Sequence, residues 1–208
     1  MIVLVESNFV IEFAQRQSEI EDADRIVTLA ENREIELAIP ACALFEPYET
    51  LVRRRKKRAE TVRKLSDEIA QLGRSQHFAD LPATSEAISR TLSGAAEVEH
   101  RALDDALVRL ANCATVIPLS GTMLKSSLDA RRRFSLQPQD SIVFTSVEHF
   151  LNERGGENSV FANKNSVDFS GPDIEIHFEQ LGCKLFASFS KARQYVEGVV
   201  RQTRPRLR

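Results

Sequence analysis

Residues 2–8 read Ile2-Val3-Leu4-Val5-Glu6-Ser7-Asn8: four apolar residues, three of them β-branched, that give way at once to a carboxylate, a hydroxyl and an amide. A short unbroken apolar run bounded by polar residues suits a strand buried on both faces, as in a parallel sheet. Similar runs follow at Glu36–Pro40, Thr115–Pro118, Ser159–Ala162 and Lys184–Ala187, each bounded by Asn, Pro, Gly or Ser. Between them the spacing predicts helices over roughly 8–32, 42–72, 84–112, 121–134 and 138–153, and a last one near 190–201. Strand and helix alternate, which predicts an α/β fold: a three-layer open parallel sheet of about five strands flanked by helices. The connection between strands two and three is longer than one crossover needs. It predicts a helical arm at about 42–112, broken around Phe78–Thr84 at Pro82, within a single domain over 1–208.

Composition narrows the class. Hydrophobic residues make up 42% and charged ones 28%, with only 8 Gly and 7 Pro, which excludes disordered, collagenous and low-complexity chains. The formal net charge of −2 is too near balance to announce a polyanion binder by bulk charge. That balance conceals segregation, because residues 1–50 carry 11 acids against three arginines, whereas residues 51–80 carry nine basic residues against four acids. Cys42, Cys113 and Cys183 are odd in number and far apart, with no CxxC pair, so neither a disulfide framework nor a zinc site is indicated. No run approaches the roughly 20 apolar residues of a membrane span, and the start MIVLVESNFV has no basic leader. The expectation is a cytoplasmic protein without a membrane partner.

In open α/β sheets, ligands bind beyond the carboxyl ends of the strands, where the strand order reverses. Glu6-Ser7-Asn8 follow strand one, and Glu46 and Glu49 stand just after strand two, one helical turn apart. Asn165 and Asp168 follow strand four, and Asp140 opens a helix whose dipole favours an acid there. Singly, each is an ordinary turn or helix residue. Together they place several carboxylates along one sheet edge.

This pattern resembles a PIN-domain nuclease. VLVESNFVIE is similar to that family's first motif, an apolar strand running into Asp-Thr/Ser-Asn, and IPACALFE to the strand and helix start carrying its Glu. LQPQDSIVFTSVEHF resembles the helix whose first acid is a metal ligand, and VFANKNSVDF the last strand-and-turn motif. The likeness covers residues 1–55 and 115–190 and leaves most of 56–114 aside. It implies that strand one is central, with strands two and four beside it. It also implies Glu6, Glu46, Asp140 and Asp168 as catalytic, metal-holding acids, with Ser7, Asn8, Glu49 and Asn165 in support. Clustered carboxylates repel one another unless a cation neutralises them, and oxygen ligands select Mg²⁺ or Mn²⁺. Metal-assisted phosphodiester hydrolysis is the chemistry such a cluster serves.

The resemblance therefore implies a metal-dependent endoribonuclease acting on single-stranded RNA, as a toxin or effector component with a cognate inhibitor protein, and a homodimer. Glu6 stands where the family has Asp, and its extra methylene motivates a second reading: a weak or inactive scaffold that binds RNA or a partner protein. The run Arg53, Arg54, Arg55, Lys56, Lys57 and Arg58 cannot share one helix face and is expected to be solvated nearly all round. Beside a phosphodiesterase pocket it would bind phosphates without reading bases, with Arg131, Arg132 and Arg133 on another rim. Trp is absent and Tyr is scarce, so base stacking is not indicated. The four histidines show no HxH or HExxH spacing and no GxxxxGK[ST] occurs, which excludes P-loop nucleotide hydrolysis. A receiver-type domain lacks its phosphoacceptor after strand three.

Overall fold

A computed structural model describes residues 1–78, 81–164, 169 and 171–203. Five strands, β1 (Ile2–Val5), β2 (Glu36–Pro40), β3 (Ala114–Ile117), β4 (Ser159–Ala162) and β5 (Cys183–Phe186), form one sheet in the order β3-β2-β1-β4-β5. All four pairings are parallel, and Val3 of β1 lies between Leu37 of β2 and Val160 of β4. The central position of strand one, with strands two and four beside it, is as expected. β1 and β4 are buried along their whole length, which is why their sequences are continuous apolar runs. β3 and β5, at the edges, are only partly covered.

Successive side chains along β1 point to opposite faces and divide the core in two. Val3 and Val5 pack with α1 (Ser7–Ala14), α2 (Ile20–Glu31), α8 (Phe189–Thr203) and the inner ends of α3 (Ala41–Leu72) and α4 (Leu81–Cys113). Ile2 and Leu4 pack with α5 (Gly121–Phe134), α6 (Pro138–Arg154) and α7 (Pro172–Gln180). On that second face Phe144, Phe161 and Phe178 meet at ring separations of 5.1 and 5.6 Å. Gly156 permits the close approach of β4 and β5: a Cβ there would lie 1.8 Å from the Leu181 carbonyl oxygen.

Two details depart from the sequence expectation. The helix foreseen over 8–32 is two helices, because Arg16 adopts a left-handed φ of 48° and the Gln17 amide donates to the Glu12 carbonyl at 3.1 Å. The chain break foreseen at Phe78–Thr84 begins earlier, at Gly73, and passes through a 3₁₀ turn at Gln76–Phe78; Pro82 already stands in the opening turn of α4, where its missing N–H costs no helical bond.

α3 and α4 pack against each other and join β2 to β3. Ala43, Pro47 and Leu51 root α3 in the core, and Leu103, Ala106 and Leu110 root α4. Among the described residues none between Val52 and Ala102 is fully buried, so the outer parts of both helices stand clear of the core. Also among the described residues, no helix is long and apolar enough to cross a membrane.

Candidate active site

The chain leaves β1 towards β2 on one side, and β4 later pairs on the other, so the strand order reverses between β1 and β4. The carboxyl ends of these strands open onto Glu6 and Asn163. That is the crevice in which open α/β sheets bind ligands.

Glu6 is 5% exposed and lies at the N-terminus of α1. Its Oε2 accepts the Ser7 hydroxyl at 2.8 Å and the Asn8 amide at 3.0 Å. The second bond caps the helix. Its Oε1 is buried and, among the described residues, has no hydrogen-bond partner. Burial, with a smaller contribution from the charge of Glu46, pushes the Glu6 carboxyl up to about 7 against the opposition of the Ser7 and Asn8 hydrogen bonds. An orphaned buried oxygen of this kind needs a proton or a cation.

Glu46 sits in the second turn of α3, half-buried, and acts electrostatically on Glu6. It lines a cleft of about 440 Å³ with Asn8, Ile11 and Glu12 of α1, Gln17 between α1 and α2, Thr50, Arg53 and Arg54 of α3, and Lys164 beyond β4. The stripe Glu46, Thr50, Arg53 and Arg54 follows helical periodicity along one face. Glu49, foreseen beside Glu46, is exposed and is not among the residues lining this cleft.

Asp140 is half-buried in the first turn of α6. Because α6 leads into parallel β4, it starts near the carboxyl edge of the sheet. The first half of α6 packs against the opening turn of α5 just beyond β3: the Thr145 hydroxyl, which donates to the Ser141 carbonyl at 2.9 Å, lies 3.4 Å from the Met123 carbonyl. Asn165 and Asp168, two of the foreseen site residues, lie outside the described residues. Phe169, which follows, is buried edge-on against Phe161 at 5.4 Å. Among the described residues no group of three or more His, Cys, Asp or Glu side chains stands ready to hold a metal ion.

The basic run is not solvated all round. Arg54 and Arg58 are half-buried on the side of α3 that faces α4, and Arg58 makes a double hydrogen bond to Glu99 of α4 at 2.6 and 2.5 Å. Arg58 is thus engaged in joining the two helices, whereas Arg53 and Arg54 reach the cleft. Arg55 lines hollows between α3 and α4, and Lys56 and Lys57 are exposed. Arg131, Arg132 and Arg133 end α5, with the Arg133 guanidinium 4.7 Å over the Phe134 ring, and none of them lines the cleft.

Sequence reasoning missed Glu12 and Lys164. Glu12 is 1% exposed, accepts the Glu19 amide at 2.5 Å and pairs with the Lys164 ammonium at 2.9 Å. The signal was present: Glu12 stands three residues after Phe9 and next to Phe13, on the apolar stripe of α1, where an acid requires a partner. The cysteines are free thiols, and His177 pairs with Glu148 at 2.6 Å on the far helical layer. Comparison with protein-family models, curated proteins and solved structures gives no match.

Proposed function

We propose that this protein is a PIN-type, metal-dependent endoribonuclease that hydrolyses single-stranded RNA. The observation that carries the reading is the buried Glu6 carboxylate, with one oxygen unpartnered among the described residues, at the switch point of a five-stranded parallel sheet and under the charge of Glu46. An orphaned carboxylate oxygen beside a second carboxylate suits a hard divalent cation. Glu6 and Glu46, joined by Asp140 and Asp168, would hold Mg²⁺ or Mn²⁺. Such an ion, when bound, supplies Lewis acidity at a phosphoryl oxygen and a more acidic water.

The chain's own residues have separate tasks in this reading. Ser7 and Asn8 fix the Glu6 side chain through Oε2 and leave Oε1 directed elsewhere. Near neutral pH Glu6 exchanges a proton easily, so a cation can displace it at little cost. Arg53 and Arg54 supply charge for the phosphate backbone.

One observation favours the second reading, a binder with little turnover. The longer Glu6 side chain turns back to cap α1, an arrangement that holds one of its oxygens to the local backbone. Purified protein is expected to cut single-stranded RNA with Mn²⁺ or Mg²⁺, and Asp140→Asn to reduce cutting at least about 100-fold. Undiminished cutting by that variant would contradict the site. A protein that binds RNA without cutting it, and gains cleavage on Glu6→Asp, would establish the second reading.

A further inference from the structure

We infer that the cleft between α1 and α3 is a subsite for a backbone phosphate of the RNA strand, with Lys164, Arg53 and Arg54 as its cations; this rests on the nuclease reading for the identity of the strand. Three cations face the carboxylates of Glu12 and Glu46 there. The cleft volume, about 440 Å³, falls within the range of small-ligand sites. Among the described residues no aromatic side chain lines it, so they offer charge and hydrogen bonds and no stacking platform. Its ligand is therefore the phosphate and not the base. Glu46 and Asn8 both line the cleft, and the Asn8 amide donates to Glu6 Oε2 at 3.0 Å, so a phosphate bound there lies beside the candidate metal centre.

Lys164 is held ready for this contact. Its ammonium donates to Glu12 Oε2 at 2.9 Å and to the Ser18 hydroxyl at 3.2 Å, while Glu19 stands at 3.9 Å. Among the described residues two of its three N–H groups are engaged, by Glu12 and Ser18. Glu12 is anchored in turn by the Glu19 amide, and Glu19 accepts the Ser188 hydroxyl at 2.9 Å and the Phe189 amide at 3.0 Å, which fixes this corner to the start of α8. A lysine restrained in this way is already ordered before the strand arrives. Arg53 and Arg54 approach from the opposite wall, and only Arg53 has a side-chain hydrogen bond among the described residues, to Thr50 at 2.9 Å.

The test is a titration of fluorescein-labelled oligouridylate by anisotropy, without divalent metal and at several salt concentrations. Each lost phosphate contact on single-stranded RNA flattens the plot of log affinity against log salt by about 0.7. Lys164→Met should flatten it by about 0.7, Arg53→Gln with Arg54→Gln by about 1.4, and Lys125→Gln on α5 not at all. Loss of Lys164 leaves Glu12 without its counter-charge, so Glu12→Gln with Lys164→Met serves if the single variant does not fold. An unchanged slope in both the lysine and the arginine variants overturns the subsite. Binding of poly-glutamate but not of oligouridylate, lost in the same variants, also overturns it, in favour of an acidic protein partner. Flattening as stated in a protein that never cuts RNA leaves the subsite standing and removes the nuclease reading instead.

Discussion

The first and second halves of the α1–α3 neighbourhood differ in how they carry charge. At the edge of β1 the acid is buried and only partly satisfied: Glu6 is 5% exposed, and Oε1 has no partner among the described residues. Along α3 the bases are mostly exposed; Arg54 and Arg58 are half-buried, and Arg58 is paired to Glu99. A buried, half-satisfied charge costs stability and is retained where it serves chemistry; an exposed one costs little and acts through the field. The two charge types approach each other through α3, which contributes Glu46, whose charge acts on Glu6, and then, two turns later, Arg53 and Arg54. The contrast divides residues that set the centre from residues that attract the substrate.

The largest effect that could break this contrast is in stability at Glu6. Its folded-state value of about 7 exceeds the ordinary 4.5, so the native state binds more protons than the unfolded chain between those values. Stability is therefore full below about pH 4.5 and falls as pH rises to about 7. Glu6→Gln, which stays neutral, should lose this slope and gain about 3 kcal/mol on wild type between pH 4 and pH 8, as read by urea denaturation. Parallel pH profiles for the two proteins would show that Glu6 is not a strained acid. Added Mn²⁺ should raise the wild-type Tm at pH 8 and leave the variant's unchanged.

A smaller effect separates the bases from one another. Arg58→Ala should lower stability by about 1 kcal/mol through loss of the Glu99 pair, whereas Arg53→Ala should leave the urea midpoint unmoved. Equal losses would erase the distinction drawn along α3. Smallest of all, Glu49→Gln should alter cleavage less than about two-fold, since Glu49 is exposed outside the cleft. A large loss there would move the centre outward along the helix.

Much of the fold was legible because its strands are buried on both faces, which leaves an unbroken apolar run such as Ile2–Val5 with little ambiguity. The split of α1 from α2 was not, because Arg16 enters the left-handed region without the glycine that usually marks it. The position of Glu6 followed from its place after a strand. Its cap on Asn8 depends on the side chain turning back, which spacing does not encode. Arg58 looked interchangeable with its neighbours, since its partner Glu99 lies 41 residues away on another helix. Glu12 and Lys164 are 152 residues apart, and only the pairing of β1 with β4 brings them together.

The most direct measurement is anomalous diffraction from crystals soaked in Mn²⁺ near pH 8. One peak is expected within about 2.0–2.6 Å of Glu6 Oε1, with Glu46 and Asp140 contributing directly or through water. Saturating Mn²⁺ with no peak at Glu6, or with the ion bound elsewhere on the chain, would contradict it.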